Sequence, residues 1–148
     1  MGTKTNFEKV KDFNRKFNLY YQDEPTLPSE ENYDDILLGQ DLIVEEVDEV
    51  YHELDDLLDI MDTEVPTASE QEYQELRKRI TKELSDLLYV VYGMGDRLGL
   101  PLDEAFEEVH RSNMSKLDKN GKPVYNEGGK LLKGDNYSPA DMGKLFDD

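Results

Sequence analysis

The chain has 148 residues, no cysteine, only two histidines (His52 and His110), and 35 acidic against 17 basic side chains, for a formal charge of −18. That length suits one domain with a sizeable core. The missing cysteines exclude disulfide scaffolds and thiolate chemistry, two imidazoles are too few for a histidine-rich zinc centre, and the charge opposes nucleic-acid binding through a basic face. No stretch approaches the roughly 18–20 apolar residues of a membrane span, and no basic–apolar leader is evident, so a cytoplasmic protein without membrane partners is expected.

In chain order, Asn6 to Phe17 reads as a short amphipathic helix, with Phe7, Val10, Phe13 or Asn14, and Phe17 on one side. Tyr20 to Ser29 is a linker in which Pro25 and Pro28 forbid a helix. Ser29 is the expected N-cap of a long second helix, from about Glu30 to Met61. Its apolar positions 36, 43, 47, 50, 54, 57 and 61 make one stripe, with Gln40 in the gap. A polar connection from Thr63 to Ser69, containing Pro66, leads to a third helix from about Ser69 to Leu98, ended by Gly99. There the stripe is 73, 76, 80, 84, 87, 91, 94 and 98. A fourth helix starts around Pro101 and reaches about Lys116. Asn120-Gly121 and Gly128-Gly129 are turn signals, and the chain then runs irregularly to Asp148 with a small hairpin and a last helical turn after Pro139. The fold class is all-α: an antiparallel helical bundle as one domain over 1–148, with an N-terminal helix and linker at about 1–28. An irregular C-terminal tail, about 118–148, is expected to close over the site.

Two segments share one spelling, Ile43-x-x-Glu46-Val47-x-Glu49 and Ile80-x-x-Glu83-Leu84-x-Asp86. At about 100° per residue, Glu46 lies roughly 60° and Glu49 roughly 120° to one side of Ile43. Glu83 and Asp86 bear the same angles to Ile80. Antiparallel packing of the two stripes then puts all four carboxylates on one side. Glu46 and Asp86 are equally far from Pro66, as are Glu49 and Glu83, so all four fall at one level. Acidic helices are often merely solvated faces. The mirrored pair instead suggests a site for Mg²⁺ or Mn²⁺, hard cations that prefer oxygen ligands, and hence phosphate chemistry.

Residues 1–109 carry 10 basic and 29 acidic side chains, whereas residues 110–148 carry 7 and 6. The front suits a cation, and the tail offers cations to phosphate. Arg111, Ser112, Asn113, Ser115 and Lys116 gather at the end of the fourth helix, and Lys130 and Lys133 lie among glycines. On a mobile segment these suit closure over a polyphosphate; the alternatives are a helix-terminal charge and a solubilising linker. Gly93 and Gly95 interrupt the third helix. Close helix packing explains them, and the alternative is room for a flat ligand beside Tyr89 and Tyr92. Asp118-Lys119-Asn120-Gly121 lacks the terminal bidentate acid of a calcium loop.

Glu45-Glu46-x-x-Glu49 and Glu83-x-x-Asp86 followed by Leu87-Leu88-Tyr89-Val90 resemble the MazG-type all-α nucleoside triphosphate pyrophosphohydrolases. Glu108 to Lys116, with Gly129-Lys130-x-x-Lys133-Gly134-x-x-Tyr137-x-Pro139, is similar to the branch described as phosphoribosyl-ATP pyrophosphohydrolase-like, some of whose members are dUTPases. The resemblance spans about Leu42 to Pro139. It implies hydrolysis of a (d)NTP to (d)NMP and pyrophosphate, with Glu46, Glu49, Glu83 and Asp86 as Mg²⁺ or Mn²⁺ ligands. Glu45 would hold or activate water, or bind another metal ion. Asn113 and Lys116 would meet sugar or phosphate, Lys130 and Lys133 would close over the phosphates, and Tyr137 belongs to the matched tail. Glu45 lies roughly 160° from Ile43 on the helical wheel, so it joins such a site only if a partner subunit or the tail covers that face. A homodimer or tetramer is therefore expected. The rival readings are phosphoribosyl-ATP pyrophosphohydrolase and, from another class, a non-catalytic acidic binding module.

Overall fold

Four α-helices and a two-stranded hairpin make up the described residues, 2–62 and 66–146, of a computed structural model; for 66–69 only the backbone is described. The helices are α1 (Asn6–Lys16), α2 (Tyr33–Met61), α3 (Pro66–Arg97) and α4 (Leu102–Met114). The strands are β1 (Val124–Tyr125) and β2 (Leu131–Leu132), paired antiparallel with Val124 opposite Leu132. The chain forms two units, Met1–Leu100 and Pro101–Asp148.

In the first unit α2 and α3 pack antiparallel, and the contacts count outward from Pro66. The Arg97 guanidinium donates to the Asp35 carbonyl, Glu46 meets Asp86, and Arg79 Nε donates to Glu53 at 3.0 Å. The members of each pair are equally far from Pro66 in sequence. Pro66 itself opens α3, three residues earlier than expected. Proline suits a first helical position because its missing N–H would have had no partner there. Of the expected connection 63–69, residues 63–65 lie outside the described residues, and 66–69 are already helix. At the other end, Glu30–Asn32 form a 3-10 turn, so α2 starts at Tyr33 rather than Glu30. Ser29 caps no backbone N–H; its hydroxyl donates to Asn32 Oδ1 at 2.8 Å.

A capping box starts α1: Thr5 Oγ1 accepts from Glu8 N–H at 3.1 Å, and the Glu8 carboxylate accepts from Thr5 N–H at 2.7 Å. Phe7, Val10 and Asn14 form its buried face. Phe7 meets Tyr92 with ring centroids 5.5 Å apart, and Asn14 Nδ2 donates to Asp96 at 3.0 Å. Phe17, expected on that face, is instead exposed at the C-cap, where it stacks on the partly exposed Phe13 at 4.4 Å. Asn14 takes the buried place because Asp96, only 1% exposed, needs donors; Arg15 supplies another at 3.1 Å.

Gly99 ends α3 at φ +65°, and Leu100 N–H reaches the Gly95 carbonyl at 2.8 Å, the longer bond of a Schellman-type stop. The linker crosses this point: Gln22 N–H donates to Asp96 O at 3.0 Å, and a Cβ on Gly99 would lie 2.4 Å from the Glu24 carbonyl oxygen. Only glycine fits. Buried apolar residues of this unit are few (Phe7, Val10, Val50 and Leu76), while Leu37, Val44, Tyr51 and Leu58 on α2 and Leu84, Leu88 and Val91 on α3 stay exposed.

In the second unit α4 stops at Met114, two residues short of the expected Lys116, with Ser115 as C-cap. Asp118 folds the following turn by accepting from the N–H groups of Asn120 and Lys122, both at 2.9 Å, so its carboxylate serves the backbone. The hairpin and a closing 3-10 turn, Met142–Leu145, agree with the expected small hairpin and final helical turn.

Candidate functional site

Of the four mirrored carboxylates, the structure gathers Glu46, Glu83 and Asp86, with one oxygen from each lying within 4.8 Å of the others. Glu49 is exposed on the rim and outside that group. Angle alone does not exclude it, since Asp86 bears the same angle to Ile80 and joins the group. Glu45 is also exposed.

Glu46 is the focus. Its Oε2 is buried and has no hydrogen-bond partner among the described residues. Burial raises its pKa, and the charges of Asp86, Glu83 and Glu45 raise it further, against a smaller lowering by Lys82. A buried carboxylate oxygen without a donor, facing two more carboxylates, is an arrangement that a cation relieves. Three half-buried oxygen donors also fit a hard divalent ion, which Mg²⁺ accepts with waters completing its shell. One cation is already close: Lys82 Nζ lies 2.7 Å from Asp86 and 3.8 Å from Glu83. The sequence reading missed Lys82, although its position directly before Glu83 and four before Asp86 was a signal of i, i+4 contact.

Gly93 lies seven residues, nearly two full turns or about 10 Å, beyond Asp86 on the same line of α3. A Cβ at Gly93 would meet nothing within 4 Å among the described residues, so close helix packing among them does not account for this glycine. Gly39 faces α3 more closely: its Cβ would lie 2.7 Å from Met94 Cε, the end of a flexible side chain. Gly95 is buried.

Within the second unit, Gly134 sits against the end of α4. Its N–H donates to the Lys116 carbonyl at 2.8 Å, and a Cβ there would come within 2.7 Å of the Lys116 and Leu117 carbonyl oxygens. This contact brings Lys133 and Tyr137 to the helix end that carries Asn113 and Lys116. Lys133 Nζ lies 4.6 Å from the Tyr137 ring centroid. Asn113, Lys130 and Lys133 are exposed, and Lys130 stands in the hairpin, its N–H held by Asn126 Oδ1 at 2.9 Å.

Arg111 and Ser115, expected to face a ligand, serve the fold instead. Glu108, with its side chain 5% exposed, accepts two bonds from Arg111 (2.9 and 2.8 Å), one from Lys144 Nζ (2.8 Å) and one from Asp141 N–H (2.9 Å). Arg111 reaches on to the Pro139 carbonyl at 3.1 Å, and Ser115 Oγ accepts from Ser138 N–H at 2.9 Å. Arg111 first, then Lys144 and the Asp141 N–H, hold the Glu108 carboxyl far below the usual carboxylate range. This clasp ties residues 138–144 to α4, where the sequence suggested a mobile tail.

The phosphoribosyl-ATP pyrophosphohydrolase family model matches residues 10–113, which include Glu45, Glu46, Glu49, Glu83 and Asp86. The chain is also similar to Uncharacterized protein L479 of Acanthamoeba polyphaga mimivirus, at 50% identity over 38 residues. That match covers 26% of this chain and 15% of the viral protein, so the chain spans only a small part of that relative.

Proposed function

Because the chain belongs to the phosphoribosyl-ATP pyrophosphohydrolase family, a branch of the MazG-like all-α pyrophosphohydrolases, we propose that it cleaves a (deoxy)nucleoside triphosphate of the dUTP type into the monophosphate and pyrophosphate. On this reading the protein is a hydrolase acting on phosphoric anhydride bonds of nucleotides, in line with the family's description. Membership also favours an enzyme over the non-catalytic binding module. Among the described residues no helix is long and apolar enough to cross a membrane.

The observation that carries the reading is the Glu46, Glu83 and Asp86 cluster with its partnerless Glu46 oxygen. Glu46, Glu83 and Asp86, with Glu49 reaching in from the rim, would hold Mg²⁺ or Mn²⁺. Such an ion, when bound, lowers the pKa of water and neutralises phosphate charge. Glu45 takes a proton from the attacking water as its oxygen adds to phosphorus at the α–β anhydride; the bridging bond breaks and pyrophosphate leaves. Asn113 and Lys116 meet sugar or phosphate, Lys130 and Lys133 balance the departing charge, and Tyr137 supports Lys133. The bare position at Gly93, flanked in sequence by Tyr92 and one turn from Tyr89, leaves room for a base about 10 Å from Asp86.

A second copy of the chain completes this reading. Leu37, Val44, Tyr51 and Leu58 recur every seventh residue on α2 and are exposed, as are Leu84, Leu88 and Val91 on α3. An apolar seam of that period suits helix-to-helix association into a homodimer, or a tetramer of paired dimers, and would cover the α2 surface near Glu45.

The rival substrate, phosphoribosyl-ATP, is cleaved at the same kind of bond and takes its support from the family's own description. The N-terminal helix and aromatic linker mildly favour a free nucleotide. The test is product analysis over a panel of (d)NTPs and phosphoribosyl-ATP with Mg²⁺ or Mn²⁺. Equimolar monophosphate and pyrophosphate, fastest from dUTP-like substrates, is the expected result. Preference for phosphoribosyl-ATP would reverse the substrate assignment, and release of orthophosphate with a diphosphate would overturn the reaction.

A further inference from the structure

Lys82 reaches two of the three clustered carboxylates, at 2.7 Å from Asp86 Oδ2 and 3.8 Å from Glu83 Oε1. Two features separate it from an ordinary surface pair. Lysine N-terminal to the acid is the poorer orientation for an i, i+4 pair on a helix, and the charges of Glu83 and, less strongly, of Glu46 across the helix pair add to that of Asp86. Its side chain is 71% exposed, so the ammonium leaves without breaking any packing. Lys82 also lies one turn from Asp86 on the line of α3 that carries Gly93, at the edge of the cluster.

An ammonium and a divalent ion cannot share Asp86 and Glu83 without strong repulsion, since they need the same oxygen lone pairs at distances of a few ångströms. Building on the metal reading above, we propose that Lys82 is an internal competitor for the divalent ion, occupying the carboxylates until a polyphosphate draws it away. A tetra-anionic substrate offers the displaced ammonium a new partner within reach of its flexible stem. Metal and nucleotide then bind cooperatively, and by linkage each tightens the other by the same factor. A resting protein holds its divalent ion weakly and loads it together with substrate.

The test is Mn²⁺ affinity, measured by titration calorimetry with and without an α,β-imido analogue of dUTP, for the wild type, Lys82→Met and Lys82→Arg. Methionine and arginine are both strong helix formers, so helix content checks the fold of each. Without nucleotide, Lys82→Met should bind Mn²⁺ on the order of tenfold more tightly than wild type, and the analogue should tighten its binding much less. Lys82→Arg keeps the charge and should behave as wild type. A Lys82→Met protein whose nucleotide-free Mn²⁺ affinity equals or falls below wild type overturns the proposal, and so does a nucleotide effect undiminished by the substitution. A wild type that binds no Mn²⁺ in either condition sinks the metal reading itself, an outcome distinct from the other two.

Discussion

Glu46→Gln keeps the size and shape of the side chain and removes one charge from a cluster whose oxygens lie within 4.8 Å of one another. At that separation each neighbouring carboxylate opposes Glu46 by about 1 kcal/mol in a water-like dielectric and about 3 kcal/mol at an effective value of 20. Asp86 and Glu83 both repel it, and Lys82 offsets part of that. With the net close to one unopposed charge in a half-buried setting, the metal-free variant should be more stable than wild type by about 1–2 kcal/mol at pH 7, a Tm gain on the order of 3–8 °C. The pH dependence has a fixed sign. Burial and then like charge raise the Glu46 pKa, so the folded protein holds this proton more tightly than the unfolded chain does. The destabilisation is therefore complete above the raised folded value and fades as pH falls through it toward the ordinary carboxylate range. Scanning calorimetry of both proteins from pH 7 to pH 4 should show the gap closing. Saturating Mn²⁺ should reverse the order, because only the wild type gains the binding free energy, about 2.7 kcal/mol at a hundred times Kd. A metal-free Glu46→Gln protein less stable than wild type at pH 7, or an order unchanged by Mn²⁺, would refute the reasoning.

Gly99→Ala should cost at least about 2 kcal/mol, from the positive φ and the overlap with Glu24; a denaturation midpoint close to wild type would contradict this. Since the Glu108 pKa is depressed by Arg111, Lys144 and the Asp141 N–H, its contribution is full above the unfolded value near 4.5 and is lost as pH falls toward the folded one. Hydrogen-exchange protection at residues 138–144, relative to intrinsic rates, should thus fall below about pH 4, and in Glu108→Gln already at pH 7; unchanged protection in the variant would show that the clasp does not hold the segment. Lys130→Ala with Lys133→Ala should lower kcat/KM by at least about a hundredfold, at roughly 1.5–3 kcal/mol per charge-assisted contact, while Lys119→Ala does little; near-normal kinetics in the double variant would reduce the tail to a linker. Light scattering should return a dimer or tetramer at micromolar concentration, and a 17.2 kDa monomer would count against the exposed seam as an interface.

The sequence alone determined the antiparallel pairing of α2 with α3, because the position of Pro66 fixes the register; the apolar period marked the packed faces only in part, since Met61, Tyr73, Leu84 and Val91 of the expected stripes stay exposed. Pairs as far apart as Asp35 with Arg97 and Glu53 with Arg79 follow that one pivot. It also determined the Gly99 stop, the short hairpin and the carboxylates Glu46, Glu83 and Asp86, since these depend on local geometry repeated along regular helices. Tertiary structure decided what depended on reach and competition between side chains. Helical angles put Glu49 on the correct side but not its distance from the others, and the packing left it on the rim. Asn14 took the buried place on α1 and left Phe13 at the edge against Tyr89 because a distant buried Asp96 needed donors, a demand no local period encodes. Arg111 and Ser115 looked available for a ligand until the fold brought Ser138 to Lys144 against α4 and took their hydrogen bonds. Lys82 is the clearest case. Its spacing permitted the contact with Asp86, and the fold set Glu46 of the neighbouring helix beside the two carboxylates it meets.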